Sequence, residues 1–332
     1  MATSVSAVEQ QPFLERIRKG FDSNFWIANS LELFERFAFY GSKAVLSFYL
    51  ANKIGLGPEQ GASLAGLFSG VIYLLPAVTG VFVDRYGFRK MLALCFALFA
   101  IGYALIGLAA MPAGQVMVDA MGKVPYVISV LMLTAVGGSL IKPCIVGTVE
   151  VTSKPDYRAL GFSIYYSLVN LGGAIGPVLA SFIRGDFGIE YVFLLSSATS
   201  AVMMICTILF FREPVPHDGV KPEARSFAKV LADLGKVLTN FRFISFLMLF
   251  SGFYVMFWQI FYSFPFYVDE ILKYKHFEIL ESVDAWTIII FSVLMTAATK
   301  KLGAMPCMML GFTIASLSWL VLAAWPTIAG SI

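Results

Sequence analysis

The sequence predicts an all-α polytopic membrane protein, and three observations predict it. Of its 332 residues 58% are hydrophobic and only 14% charged, whereas soluble domains carry about a quarter charged residues. Mean hydropathy is +0.79. The apolar residues gather into nine runs, most near the roughly 20 residues a helix needs to cross hydrocarbon. These runs are continuous rather than alternating, which argues against a membrane β-barrel.

In chain order the runs fall at 24–52, 59–84, 88–112, 124–151, 158–184, 189–212, 241–270, 282–300 and 304–328. Residues 1–23 are polar and read as a cytoplasmic N-terminal segment rather than a cleavable signal peptide. The first six runs, 24–212, form one six-helix bundle. Residues 213–240 are the longest polar stretch, with Pro214, Pro216, Gly219 and Pro222 before a basic amphipathic run from Ser226 to Leu238. They read as a cytoplasmic linker. Residues 241–332 supply about three helices of a second, partial bundle. The run 282–300 is the weakest, being short and carrying Asp284.

Lysine and arginine placement orients the chain. With the N-terminus inside, sixteen of the 24 basic residues fall in inner segments, five in outer ones and three within spans. That bias puts the N-terminus in the cytoplasm of a bacterial inner membrane or plasma membrane. The net charge of +3 follows from orientation and implies no nucleic-acid partner. Cys95, Cys144, Cys206 and Cys307 are scattered without ligand spacing, and His217 and His276 lie in polar connections. No metal site is expected, and no Asp-rich, His-rich or serine-nucleophile constellation suggests an enzyme.

Chemistry concentrates in the first span, where Glu32, Glu35 and Arg36 sit within an otherwise apolar helix that also carries Lys43. Each such charge costs about 2.5–3.5 kcal/mol near a helix centre, so the group needs partners or a water-lined cavity. At 1.5 Å per residue Glu35 lies about 16 Å from the inner boundary, and Lys142 on the fourth span about 14 Å. Tyr73 and Asn170 fall about 16–18 Å deep by the same rise. A shared level on four helices marks a cavity, with Glu35 and Lys142 expected to form a buried ion pair. Glu32 and Arg36, four apart, share a helix face and can pair. Glu35 points about 100° away from Arg36.

Three further stretches stand out. Gly80-Val-Phe-Val-Asp84-Arg85-Tyr-Gly87-Phe-Arg89-Lys90 joins spans two and three, with Gly87 suited to a tight turn and the basic residues able to reach helix C-termini. Pro143, next to Lys142, frees a backbone carbonyl and is expected to kink its helix. Gly137 and Gly138 before it, and Gly172 and Gly173 after Asn170, permit close helix packing.

Taken together these stretches resemble the proton-dependent oligopeptide transporter family of the major facilitator superfamily. Glu32-x-x-Glu35-Arg36 with Phe37-x-Phe39-Tyr40-Gly41 is similar to that family's first-helix signature. Gly80 to Lys90 is similar to the superfamily's loop motif. Lys142-Pro143, Phe162 to Tyr166 and Asn170-Leu-Gly172 match its other marks. The resemblance is strong over 24–212 and weak beyond.

It implies a major facilitator-like fold and proton-coupled uptake of di- and tripeptides by alternating access, with protons as the coupling ion and no cofactor. Glu32, Glu35, Arg36 and Lys142 would support proton coupling. Tyr40, Lys43, Tyr73, Asn170, Trp258 and Gln259 would contact substrate, and Gly80, Asp84, Arg85, Gly87 and Arg89 would form the gating loop motif. Lys43 stands where the family commonly has arginine, and lysine offers charge without a bidentate fork. The seventh span lacks the acid common in the family. Three further helices are missing, so a C-terminal half outside this chain is expected. The competing readings are a proton-coupled symporter of another small anion, or a non-transporting membrane sensor or remnant.

Overall fold

Proline and glycine punctuate the chain into fifteen α-helices in the computed structural model, which describes residues 12–215 and 226–331. They are α1 (Phe13–Gly20), α2 (Ser23–Phe48), α3 (Pro58–Leu74), α4 (Pro76–Tyr86), α5 (Phe88–Leu108), α6 (Pro112–Met121), α7 (Lys123–Thr152), α8 (Arg158–Asp186) and α9 (Ile189–Phe210). The second part holds α10 (Phe227–Leu238), α11 (Phe241–Phe257), α12 (Gln259–Tyr262), α13 (Phe264–Glu270), α14 (Phe277–Thr299) and α15 (Ala304–Ala324). By length and composition seven spans qualify as membrane-crossing, and the bent pair α3 and α4 makes an eighth. α2, which carries four charges, is the first span.

Six spans (α2, α3 with α4, α5, α7, α8 and α9) form the bundle read from the sequence. Alternation shows in what meets at each end. At the end where α2 begins, Asn24 and Arg212 exchange two hydrogen bonds of 2.8 and 3.0 Å. There Phe21 also bridges Ser153, and the Glu213 carboxylate accepts from the amides of Phe88 (2.7 Å) and Arg89 (3.0 Å). At the far end the Tyr49 hydroxyl donates to the Ile106 carbonyl at 2.6 Å, and Lys53 pairs with Glu190 at 3.3 Å.

Several expected boundaries move, each for a physical reason. Span two breaks by 46° between α3 and α4, because Pro76 begins α4 and has no amide to continue the ladder. The third run ends at Leu108, and the connection after it winds into the unexpected α6, started by Pro112 and closed by Gly122 at φ +80°. The eighth span starts at Phe277, five residues before expectation. The seventh is three helices rather than one, α11 to α13, with Pro265 opening the last.

Pro143 lies inside α7, which runs on as one helix. The carbonyl four residues before each proline loses its amide donor, and both are taken up across the bundle. Thr79 donates to the Ser139 carbonyl at 2.9 Å, and Ser47 to the Phe261 carbonyl at 2.9 Å.

Glycines set how closely the helices approach. A Cβ at Gly172 would lie 2.4 Å from the Arg36 Cβ, and one at Gly176 2.8 Å from the Phe37 carbonyl oxygen. A Cβ at Gly138 would fall 2.2 Å from Ile72. At Gly176 the backbones of α2 and α8 therefore meet directly, whereas at Gly138 the Ile72 side chain of α3 fills the room the glycine leaves. Pro216, His217, Gly219 and Pro222 of the linker lie outside the described residues. The run after them does fold as expected, into α10, capped by Ser226 accepting from the Lys229 amide.

Candidate functional site

The charges of α2 are fully inside the bundle: Glu32 is 0%, Glu35 3%, Arg36 4% and Lys43 3% exposed. Arg36 Nε meets Glu32 Oε1 at 3.3 Å, the i,i+4 pair read from the sequence. It also hydrogen-bonds the Glu35 carboxylate. This corrects the expected separation of Glu35 and Arg36, because the long guanidinium arm reaches past its own turn and spans both acids. The Tyr165 hydroxyl from α8 donates to Glu32 Oε1 at 3.2 Å. The Phe39 ring lies 4.9 Å below the guanidinium.

The expected Glu35–Lys142 ion pair is not formed. Depth matched them, but Arg36 is adjacent to Glu35 and occupies it. Lys142 is exposed on α7, its Nζ 5.6 Å from the Tyr73 ring centroid. Among the described residues it forms no ion pair.

Lys43 has a different setting. Its Nζ sits 3.4 Å from the Trp258 ring centroid, 5.0 Å from Phe261, and 5.6 Å from both Phe39 and Tyr73. Its ammonium has no hydrogen-bond partner among the described residues. Aromatic faces stabilise a desolvated cation by about 2 kcal/mol. They replace only part of the hydration a buried ammonium gives up. Trp258 closes α11 and Tyr73 precedes the α3–α4 bend, so two helix breaks bring these rings together at 5.5 Å.

The structure thus gathers Glu32, Glu35, Arg36, Tyr40, Lys43, Tyr73 and Trp258 into one region, with Lys142 beyond Tyr73. Tyr40 is half-buried beside Arg36, 5.9 Å from its guanidinium. Asn170 is half-buried two residues before Gly172, with no side-chain hydrogen bond among the described residues. Gln259 spends its amide on its own helix, donating to Val255 at 3.2 Å and accepting from Ser263 at 2.9 Å.

The loop motif occupies the near end. Gly87 adopts φ +89°, a conformation that suits glycine. The Arg89 guanidinium donates to the Ile208 carbonyl in the last turn of α9. Asp84 and Arg85 are exposed, Arg85 lying over Tyr86 at 5.5 Å. Gly80 has open space where a Cβ would sit.

Sequence reasoning missed Glu278 and Glu281, buried on α14 at 0% and 3% exposure. Glu278 pairs with Arg184 of α8, one of the contacts at 3.1 Å. Neither carboxylate oxygen of Glu281 has a hydrogen bond among the described residues. The signal was present as acids at 278, 281 and 284, spaced three apart on entry to an apolar run. An apolar opening of about 540 Å³ lies elsewhere, between α11, α14 and α15, lined by Phe253, Leu280, Asp284 and Trp319 among others.

A six-span bundle with a charged first helix, joined to further spans through an amphipathic linker helix, defines a multi-pass membrane protein. A family model described as Major Facilitator Superfamily matches residues 30–332. The chain belongs to that superfamily. Within it, the resemblance to the proton-dependent oligopeptide transporters is borne out by its relatives. Dipeptide and tripeptide permease A of Citrobacter koseri is 29% identical over 219 residues, 65% of this chain and 42% of that protein. Peptide transporter family 1 of Drosophila melanogaster is 27% identical over 195 residues, 56% of this chain and 25% of that protein. The chain thus spans less than half the length of the curated relatives it matches. The solved structure of tetrameric PepTSo2 shares the fold with a TM-score of 0.72 at 17% identity, over 93% of this chain and 79% of that one.

Proposed function

We propose that this chain carries the proton-coupling and substrate-binding core of a symporter for di- and tripeptides, working by alternating access with its N-terminus in the cytoplasm. The observation that carries the reading is the contrast on α2. Arg36 is saturated by two carboxylates, whereas seven residues on Lys43 is buried with no hydrogen-bond partner. An unsatisfied buried ammonium favours an anionic ligand group. A peptide C-terminal carboxylate has the charge to satisfy it, with Tyr73 and Trp258 beside it and Tyr40 and Asn170 toward the Arg36 end of α2 for the rest of the ligand. Glu32, Glu35, Arg36 and Lys142 then form the proton-responsive group. The relatives' names support peptides as the cargo.

The test is uptake of labelled dialanine into proteoliposomes under an outside-acid pH gradient. Accumulation above equilibrium that an uncoupler abolishes is expected. Lys142→Ala is expected to leave binding but remove accumulation. A protein that binds dialanine and never accumulates it would be a sensor. One whose uptake is blocked by inorganic anions and not by dipeptides would be an anion symporter, a reading that the single point charge of Lys43 also accommodates.

A further inference from the structure

Two buried groups near the far end of the bundle lack hydrogen-bond partners among the described residues, and they carry opposite charge. One is the Lys43 ammonium on α2, the other the carboxylate of Glu281 on α14. Helices α2 and α14 run antiparallel, and two contacts bracket the pair. Phe48 meets Phe277 with ring centroids 5.1 Å apart. About two turns along, Tyr40 and Ala285 flank Gly173 of α8, at 3.6 and 3.7 Å from where its Cβ would be. Lys43 lies between Tyr40 and Phe48, and Glu281 between Phe277 and Ala285, so both stand at one level.

The charges acting on Glu281 are Glu278 from its own helix, Lys43 from α2 and Arg184 from α8. Arg184 is already bound to Glu278 and to the Lys275 carbonyl. Asp284, one turn on, lines the apolar opening. His276, which precedes α14, is engaged by Ser181 at 2.8 Å. That leaves Lys43 as the cation open to Glu281. A buried carboxylate without a donor is costly when charged and much less so when it holds a proton.

We propose that Glu281 is a second proton-binding carboxylate of the transport cycle, and that Lys43 alternates between Glu281 and the aromatic box of Trp258, Phe261, Phe39 and Tyr73. The structure holds the box-bound arrangement. When a proton binds Glu281, Lys43 rests on the rings and is free for an anionic ligand group. When the proton leaves, Lys43 swings to the bare carboxylate and gives the ligand up. This inference rests on the symport reading, but its test does not depend on it alone.

In proteoliposomes Glu281→Gln is expected to lose pH-driven dialanine accumulation while keeping counterflow exchange. Glu281→Asp is expected to restore part of it, and Asp284→Asn to keep both. Accumulation by Glu281→Gln equal to the parent would overturn the proposal. A second readout is the pH response of tryptophan fluorescence in purified protein, assigned to Trp258 by its loss in Trp258→Phe. Its loss in Glu281→Gln is expected; its persistence there refutes the Lys43 switch. If the parent accumulates no dialanine the symport reading fails, and the fluorescence test still decides whether Glu281 controls Lys43.

Discussion

Gly172→Ala tests whether the α2–α8 seam positions the charge cluster. The added Cβ would lie 2.4 Å from the Arg36 Cβ and 3.2 Å from the Leu33 carbonyl oxygen, where ordinary contact begins at 3.4 Å. The helices must part by about 1 Å, or Arg36 must move, and overpacking of that kind costs about 1–3 kcal/mol. Arg36 has little room to move, because its guanidinium is tied to Glu32 and Glu35 and its ring contact to Phe39. The strain therefore falls on the seam. At about 2–4 °C per kcal/mol for a body of this size, the melting temperature should drop by several degrees. Gly185 on the same helix has nothing within 4 Å of its Cβ position, so Gly185→Ala should melt at or above the parent, by the ordinary helix preference for alanine. The assay is a thermal melt of purified protein in detergent, with dialanine binding measured alongside. Unchanged stability in Gly172→Ala would refute the close approach of the two helices.

Further outcomes are expected elsewhere. Ser47→Ala and Thr79→Val each orphan a carbonyl freed by proline, at Phe261 and Ser139; each should lower stability by about 0.6–1.7 kcal/mol, the span measured for polar contacts between membrane helices. Glu213→Ala removes the acceptor from the Phe88 and Arg89 amides and should cost about 0.5–2 kcal/mol, as lost helix caps do, read by the same melt. Trp258→Leu takes away the ring nearest the Lys43 ammonium and about 2 kcal/mol of cation–π stabilisation, so the melting temperature should fall, by more at low than at high pH if the ammonium is the partner.

Much of this organisation is legible in residue order because membrane burial makes each span a long apolar run. Charge placement then marks the exceptions, which is why Glu32, Glu35, Arg36 and Lys43 stand out unaided. Depth is legible too, since rise per residue is constant. Azimuth is not. Glu35 and Lys142 share a level, yet a sequence does not say which way each helix is turned, and Arg36 took the acid. The same gap hid Glu281. Three acids at 278, 281 and 284 depress local hydropathy and push the apparent start of the eighth span past the two buried ones. The meeting of Tyr73 with Trp258 depends on two helix breaks, and only the first has a proline beside it.

The charges brought together are balanced in a way that bears on coupling. Glu32, Glu35 and Glu281 oppose the buried Arg36 and Lys43 and the exposed Lys142 beside Tyr73, three acids against three bases. Isolated buried charge is costly, so a neutral set is the arrangement a membrane interior tolerates. Adding one proton leaves a single positive excess, and Lys43 is the buried cation of the set without a bound carboxylate among the described residues. The carboxylate end of a peptide cancels that excess beside Lys43; a proton without that carboxylate, or the carboxylate without a proton, leaves a local net charge there. Coupling of the two would then follow from electroneutrality of the site, with Arg36 locking one pair of acids in place so that the remaining acid and lysine are the ones that move.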